Sequence, residues 1–365
     1  MSHMFHLFLG VVRMREQKIT MIHGAGGSVT NDLVKKYVLK YLGGSNSEVP
    51  LEALDDAAVI NDIVLKSDSH AVKPLFFPGG DIGRLAITGT VNDISVLGAK
   101  PLALASGFIL EEGFALTDFE RIVHSMGNTC EEAHVYVITG DTKVVEKGSL
   151  EGCVINTSGI GKRSLDLEEN LLVVKKYHSM FRSRWLLDSN LHLGDKIILS
   201  GTIGDHGMAV LSSREGYGFS SEIKSDMAPL NEVIQFLLGD VGGIVAMKDP
   251  TRGGLSNALN EWSEKSKLGI LVKEEKIPIR EDVHSACEML GIDPLEVGNE
   301  GKLIIGVIRE KAREVLEVLR ETKEGKNAQI IGETTDQFKE VVLQTKVGGK
   351  RILTPPIGDP IPRIC

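Results

Sequence analysis

Short apolar runs alternate with longer amphipathic stretches through the first half of the chain. The apolar runs predict β-strands at 57–60, 63–66, 102–110, 135–139 and 153–160. Apolar residues at helical spacing predict α-helices over 32–41, 81–97 and 117–133. This mixture of strands and helices indicates an α/β or α+β fold.

The pattern changes between residues 163 and 191, where polar and charged residues are frequent and strand signals are few. We therefore predict a domain boundary in this region. Beyond it, apolar runs predict strands at 195–200, 270–272 and 303–307. Helical spacing predicts helices near 228–238, 255–265 and 310–320. The predicted units are an N-terminal extension (1–17), a first domain (18–165), a second domain (166–350) and a mobile tail (351–365).

The last twelve residues contain four prolines and end in Cys365. Because proline lacks a backbone donor, this segment is predicted to be neither a helix nor a central strand. It is instead expected to be extended and partly stiff. Two interpretations stay open, an ordinary frayed terminus and an arm that carries the terminal thiol between sites.

Composition narrows the class of protein. The 365 residues are enough for two domains, and the formal net charge of −9 argues against a general nucleic-acid binder. Four cysteines without zinc or disulfide spacing favour a reducing, cytoplasmic location. No uncharged apolar run reaches the ~18 residues needed to span a bilayer, so no membrane association is expected. Residues 1–13 are interpreted as an extension and not as a signal peptide.

A glycine-rich segment, 23–28, is a candidate phosphate-binding loop. By itself it is a weak signal, because no strand precedes it and the chain contains no Walker A sequence. It contains His23, Gly24, Gly26 and Gly27, which become candidate nucleotide contacts only through the family resemblance described below.

Aspartates close to predicted strands are candidate magnesium ligands. Asp55 and Asp56 precede one strand, and Asp68 and Asp141 follow two others. Carboxylates at strand ends can converge on a hard cation, although each one taken alone is better explained as a turn residue. Asp93 is stronger, because it lies on the apolar stripe of its predicted helix, where an unpaired carboxylate is costly.

Several motifs together resemble one family. They are HGAGGS at 23–28, LDDAAVI at 54–60, the segment 66–101, GDTKVV at 140–145, LSGTIGDHGMAVLS at 199–212, MKDPTRGG at 247–254, EVGNEGKL at 296–303 and PRIC at 362–365. The chain resembles the HypE family of hydrogenase maturation proteins, in the PurM-like superfamily with aminoimidazole ribonucleotide synthetase, selenophosphate synthetase and thiamin-phosphate kinase. The terminal cysteine distinguishes HypE within that superfamily, and the likeness covers roughly residues 18–365.

The resemblance implies a two-domain PurM-like fold. The first domain would form a β-barrel-like interface with its copy in a homodimer, and the second would be an α/β sandwich. ATP with Mg²⁺ would bind between the glycine-rich and acidic segments. The implied metal and phosphate positions are Asp56, Asp68, Asp93 and Asp141, with Asp55 and Asn92 as further nucleotide contacts.

The resemblance also implies a reaction. The carbamoyltransferase HypF would load a carbamoyl group onto Cys365, and ATP would drive its dehydration to a thiocyanate, the source of cyanide for the HypC–HypD scaffold. Glu300 is expected to act as general base and Lys143 as charge partner of the phosphate.

Two rival functions stay open, namely another superfamily enzyme, such as a synthetase or small-molecule kinase, and a non-catalytic carrier. The roles of Asp249 and Arg252 also stay open, and the 201–207 turn is interpreted as a helix start.

Overall fold

The computed structural model describes residues 18–214 and 222–356. The predicted N-terminal extension and the terminal Cys365 lie outside the described residues.

The first domain is built on a five-stranded sheet. Its strands are β1 (Ala58–Ile60), β2 (Ile63–His70), β5 (Ala99–Glu111), β6 (Tyr136–Val145) and β7 (Cys153–Arg163). They lie in the order β1-β2-β7-β5-β6, and only the β5–β6 pair is parallel. β3 (Phe76–Phe77) and β4 (Gly80–Asp81) form a small hairpin that leads into the first long helix.

Helices cover one face of this sheet. These helices are α3 (Ile82–Val96) and α4 (Leu116–Glu132). A separate helical segment precedes the sheet and comprises α1 (Gly27–Leu33), a π-helical turn (Val34–Val38) and α2 (Leu39–Leu42). Helix α3 is capped by Asp81, whose carboxylate accepts the backbone N–H groups of Gly83 and Arg84 at 2.8 and 3.0 Å. Nearly all of α3 is buried, because it packs against β2 and β7 on one side and reaches the second domain on the other.

The second domain contains a seven-stranded sheet in the order β14-β13-β10-β12-β8-β11-β9. Its strands are β8 (Lys196–Leu199), β9 (Ile244–Lys248), β10 (Gly269–Lys273), β11 (Ile304–Val307), β12 (Gln329–Thr335), β13 (Val341–Gln344) and β14 (Lys350–Ile352). Its helices are α5 (Leu165–Tyr177), α6 (Asp205–Ser212), α7 (Asn231–Asp240), α8 (Gly254–Ser266), α9 (Glu281–Leu290) and α10 (Ala312–Glu321). The two-domain α/β fold expected from the pattern is therefore confirmed.

Most predicted elements are present, but several in the second domain were not predicted. β9 is buried along its whole length and shows no polar alternation, so its short apolar run gave no distinctive period. β12, β13, β14 and α9 were missed as well. The interpretation of the 201–207 turn as a helix start is confirmed, since α6 begins at Asp205 after Gly204 in a left-handed conformation.

The predicted start of the mobile tail needs correction. Residue 351 lies within β14, and the following Leu353 is only 2% exposed. The carbonyl of Thr354 accepts the Ser256 hydroxyl at 2.7 Å. The chain is therefore packed as far as Pro356, and the remainder of the predicted tail lies outside the described residues.

Within residues 18–214 and 222–356, no helix combines the length and the apolar character needed to cross a membrane.

Gly159 tests the contact between α3 and the first sheet. A β-carbon there would lie 2.6 Å from Ile94 Cδ1 and 2.7 Å from Leu104 Cδ2, closer than packed atoms approach. Gly159→Ala is expected to lower the free energy of unfolding by about 1–3 kcal/mol in urea titrations. The matched control is Gly127→Ala on α4, where a β-carbon meets nothing within 4 Å and alanine favours the helix. Equal losses in both variants would contradict this packing.

Candidate active site

A small buried pocket lies where the two domains meet. Its volume is about 120 Å³. It is lined by Asp56, Lys66, Asp68, Ser69, His70, Gly89, Asp93, Asp249, Thr251, Arg252 and Glu300. The first domain supplies the residues up to Asp93, and the second supplies the last four. The pocket therefore exists only when the domains are packed together.

Lys66 is the central cation on the first-domain side. Its ammonium lies 2.5 Å from Asp93 Oδ2 and 3.3 Å from Asp68 Oδ1. Burial by itself would lower the pKa of Lys66, but Asp93 and Asp68 raise it above the usual value. Burial is the largest single effect on Asp68 and raises its pKa, but Lys66, His70 and the hydrogen bonds to Asp93 and Lys66 together lower it below the usual value, so this carboxylate is held ionised. Lys66 was not predicted, because a lysine in a strand is ordinarily a surface residue.

Three carboxylates meet on the other side of Lys66. Asp56, Asp93 and Asp249 each place an oxygen within 4.8 Å of the other two. Asp249 follows β9, Asp93 lies on α3 and Asp56 precedes β1, so the group is assembled from distant parts of the chain. A buried set of carboxylate oxygens is the donor set that Mg²⁺ accepts beside substrate phosphates.

Burial dominates the titration of these carboxylates. It raises the pKa of Asp93 well above the usual range and that of Asp249 to about 7, with Asp56 adding to the shift of Asp249. It also raises the pKa of Asp56, against the opposing effect of Lys248. The three carboxylates are therefore costly to keep ionised together inside the protein, and a bound cation would lower that cost.

Lys248 holds Asp56 from behind the pocket. Its ammonium lies 2.8 Å from Asp56 Oδ1 and 3.1 Å from both Asp188 Oδ2 and Glu261 Oε2. It is a buried side chain at the end of β9, and its pKa is raised because these carboxylates outweigh the effect of burial.

Asp55 has a different role from its neighbour. It lies outside the pocket lining, where Oδ1 is 3.3 Å from the Lys265 ammonium and accepts the Asp188 N–H at 3.3 Å. Burial and Asp188 raise the pKa of Asp55 to about 7. Its predicted nucleotide contact is not supported by this placement, because the side chain is engaged in packing the domains together.

Glu300 faces the pocket from the second domain, as the resemblance implied. It is 4% exposed, and its N–H donates to Asp226 Oδ1 at 3.2 Å. Burial and then Asp249 raise its pKa well above the usual value, while Arg252 opposes the shift. A carboxylate with a raised pKa is a stronger proton acceptor at neutral pH.

His70 also lines the pocket and is held neutral. Burial lowers its pKa to about 4, and Nε2 lies 3.3 Å from the Thr157 hydroxyl. Thr157 in turn donates to the carbonyl of Ala86 at 3.0 Å. The sequence offered only its proximity to the aspartate motif as a signal.

Asn92 is a structural residue in this geometry. It is fully buried, and its amide nitrogen donates to the carbonyls of Ala228 and Glu300 at 3.1 and 3.4 Å. Its oxygen accepts the Leu230 N–H at 2.8 Å. Because its polar atoms are occupied by backbone groups of the second domain, the predicted nucleotide contact is corrected to an interdomain role.

Asp141 and Lys143 lie away from the pocket. Both are exposed on β6, the edge strand, and neither belongs to the pocket lining. The expectation that Asp141 joins the other aspartates is therefore not met within one chain, because the strand continues past both residues as the outer edge of the sheet. Asp249, whose role the sequence left open, is the third carboxylate of the group with Asp56 and Asp93.

The glycine-rich loop borders the pocket without lining it. A β-carbon on Gly26 would lie 3.1 Å from Arg252 Cβ, and one on Gly27 would lie 2.5 Å from the carbonyl oxygen of Pro356. Both glycines have positive φ, so the loop needs them for its conformation and for this close approach. His23 and Gly24 lie in a short 3₁₀ turn, where His23 Nδ1 contacts the Thr20 hydroxyl at 2.9 Å.

Two family models match the chain in the two domains just described. The N-terminal domain of AIR synthase related proteins matches residues 54–162, and the C-terminal domain matches residues 193–344. A putative hydrogenase expression/formation protein of Methanocaldococcus jannaschii is 50% identical, covering 95% of this chain and all of its own. The carbamoyl dehydratase HypE of Azotobacter vinelandii is 42% identical, covering 96% of this chain and 98% of its own. This chain belongs to the HypE family.

Solved HypE structures agree with the assignment. HypE in a HypE–HypF complex is 44% identical, covers 89% of this chain and 99% of its own, and superposes with a TM-score of 0.80. HypE in complex with ATP is 39% identical, covers 95% of this chain and all of its own, and gives a TM-score of 0.76. The expectation of a HypE-type, PurM-like fold is confirmed.

The raised pKa of Asp249 predicts how the stability of this HypE-family protein depends on pH. An ordinary aspartate releases its proton near ~3.9, whereas folded Asp249 does so at about 7. The folded state therefore binds more protons between these values, and its stability falls as the pH rises through that window. In metal-free buffer, Asp249→Asn is expected to be roughly 2–4 kcal/mol more stable than the wild type above pH 7 and equal to it near pH 4.

Urea unfolding across this pH range provides the measurement. Asp336→Asn is the control, because Asp336 is exposed in the loop after β12. Parallel pH profiles for the wild type and Asp249→Asn would contradict the raised pKa.

The Asn92→Ala variant distinguishes a structural role of Asn92 from a role in nucleotide binding. Without the Asn92 side chain, buried backbone groups lose their hydrogen-bond partners. The free energy of unfolding should therefore fall by about 2–4 kcal/mol, while the ATP affinity of the folded protein changes little. Thermal melts and ATP titration measure the two effects, with exposed Asn128→Ala as control. If Asn92→Ala lost ATP binding while its melting temperature stayed unchanged, Asn92 would be a nucleotide contact and not a structural residue.

Proposed function

We propose that this chain is an ATP-dependent carbamoyl dehydratase that converts S-carbamoyl-Cys365 into a thiocyanate during hydrogenase maturation. The observation that carries the proposal is the buried pocket, which combines a three-carboxylate group with Lys66 and Glu300 in a chain of the HypE family. ATP is the expected phosphoryl donor, since an ATP complex is known for a HypE relative.

The phosphates of ATP are expected at the mouth of this pocket with Mg²⁺. Bound Mg²⁺ would neutralise phosphate charge and position the transferred group. Asp56, Asp93 and Asp249 would hold it, because their oxygens lie within 4.8 Å of one another and burial raises the pKa of each carboxyl group. Lys66 fixes Asp68 and Asp93 in place through its two ion pairs.

Dehydration of a carbamoyl group requires the loss of two protons from nitrogen and of the oxygen. Phosphorylation of that oxygen turns it into a good leaving group. Glu300 is suited to accept a proton, since burial raises its pKa and strengthens its carboxylate as a base. Arg252 lies across the same pocket and supplies positive charge for the phosphate.

The fold supports a homodimer formed through the edge strand β6. Its apolar side chains Tyr136, Ile138 and Val144 are 73%, 68% and 63% exposed. A cavity of about 1100 Å³ lies between β6 and α4. Exposed apolar edge strands are prone to pair with a second chain. Asp141 and Lys143 would then lie at the dimer interface, and their predicted phosphate and charge roles depend on that pairing.

HypF is the partner expected to load the carbamoyl group, since a HypE–HypF complex is known for a relative. Delivery of cyanide to a HypC–HypD scaffold is a further prediction from the family.

Intact mass tests the reaction directly. The protein is incubated with HypF, carbamoyl phosphate and ATP–Mg²⁺, and the adduct on Cys365 is located by peptide mapping. A gain of about 43 Da marks the carbamoyl group, and a gain of about 25 Da marks the thiocyanate. We expect the second product only with ATP, and Cys365→Ala should give neither.

Two variants test the proposed roles of Glu300 and Lys143 in the dehydration. Glu300→Gln and Lys143→Ala are expected to accumulate the carbamoyl adduct and to form at least tenfold less thiocyanate. The control for Glu300→Gln is Glu296→Gln, a carboxyl group outside the pocket lining, and the control for Lys143→Ala is Lys147→Ala, an ammonium group beyond the end of β6. If the wild type keeps the carbamoyl adduct in the presence of ATP, the protein acts only as a non-catalytic carrier. The absence of any adduct on Cys365 would overturn the proposal.

A further inference from the structure

A second cluster of ligand-type side chains lies at the start of the second domain. His178 follows the last turn of α5, and His192 and Asp195 precede β8. None of the three lines the acidic pocket. His178 and Asp195 line a separate cavity of about 560 Å³, which is also lined by Arg309 and Glu310.

The three side chains point their donor atoms at one another. His178 Nε2 lies 3.4 Å from Asp195 Oδ1, and His192 Nδ1 lies 4.0 Å from Asp195 Oδ2. All three ligand atoms fall within 4.8 Å of one another. Ligands around a tetrahedral zinc ion, at bonds of ~2.0–2.1 Å, are separated by roughly 3.4 Å. The group is thus close to the spacing of a metal site.

Ordinary hydrogen bonding does not account for the ring atoms that face inward. His178 Nε2 and His192 Nδ1 are both buried and have no hydrogen-bond partner among the described residues. Asp195 is 1% exposed. Buried polar atoms left in this way are costly unless a further group satisfies them.

Among the described residues, the buried Asp195 carboxylate has the two imidazoles as its ion-pair partners and no lysine or arginine in direct contact. Two imidazoles facing a buried carboxylate form a donor set that transition metals bind in proteins.

Local hydrogen bonds hold the turn from His192 to Asp195. The His192 N–H donates to Asp195 Oδ2 at 2.7 Å, and the Asp195 N–H donates back to the His192 carbonyl at 3.1 Å. The Thr334 hydroxyl donates to the same carbonyl at 2.5 Å, which ties the turn to β12. Two of the three ligands are therefore positioned by the backbone before any ion arrives.

We propose that His178, His192 and Asp195 form a binding site for a zinc-class divalent ion, with a water in the fourth position. The two rings are stacked, with centroids 4.2 Å apart and planes at 13°, so one ring must turn for both nitrogens to face one ion. His192 is the ring that turns, because its side chain is 36% exposed and that of His178 is 24% exposed. The ion links the end of α5 to the start of β8 and so stabilises the beginning of the second domain.

Zinc binding to the full-length protein tests the site. Saturating Mg²⁺ is included so that the carboxylates of the candidate active site are occupied, and Zn²⁺ alone is then titrated by calorimetry. We expect one equivalent to bind the wild type and to raise its melting temperature by several degrees. His192→Gln and Asp195→Asn should each lose this binding at least tenfold and lose the shift in melting temperature.

The matched control is His284→Gln, an exposed histidine on α9 that should bind zinc like the wild type. Circular dichroism of each variant establishes that it is folded, and His192→Gln is the informative variant because its ring is the most exposed of the three. Substitution of Co²⁺ for Zn²⁺ adds a spectroscopic readout of four-coordinate nitrogen and oxygen ligation. Wild-type zinc binding that persists in folded His192→Gln and Asp195→Asn, or no stoichiometric binding by the wild type, would overturn the proposal.

Discussion

The ion pairs of one buried ammonium group support both the domain packing and the candidate active site. Lys248 is 6% exposed and contacts Asp56, Asp188 and Glu261 at 2.8–3.1 Å. Removing one member of such a group leaves uncompensated charge in the interior, which costs about 3–5 kcal/mol. The same lysine that joins the domains also fixes the orientation of Asp56 in the pocket, so stability and site geometry depend on one contact.

The pocket is a consequence of bringing the domains together. Asp93 and Lys66 come from the first domain, and Asp249 and Glu300 come from the second. Asn92 reinforces this arrangement, because its side-chain amide donates to the carbonyls of Ala228 and Glu300 and accepts the N–H of Leu230, all in the second domain. Burial at the interface raises the pKa values of Asp249 and Glu300, so the titration of the site is a property of the assembled protein.

The end of the described chain is also organised around this junction. Pro356 passes beside Gly27 and Gly253, positions where a β-carbon would collide with it. The glycine-rich motif therefore has a packing role that does not depend on contact with phosphate. This anchor places the start of the terminal segment next to the loop that borders the pocket, which is consistent with a reaction on the terminal cysteine.

The sequence by itself determined the element types with a clear period, the two-domain α/β class and the need of the Asp93 carboxylate for a charged partner, which is Lys66. These follow from local patterns, since a carboxylate on the apolar stripe of a helix is costly wherever that helix packs. Its family motifs also pointed to Glu300. Only the tertiary structure decided that Asp249 joins Asp56 and Asp93, that Asp55 and Asn92 serve packing, and that Asp141 lies on an exposed edge. Those outcomes depend on contacts between residues far apart in the chain, which no local pattern of hydrophobic and polar residues encodes.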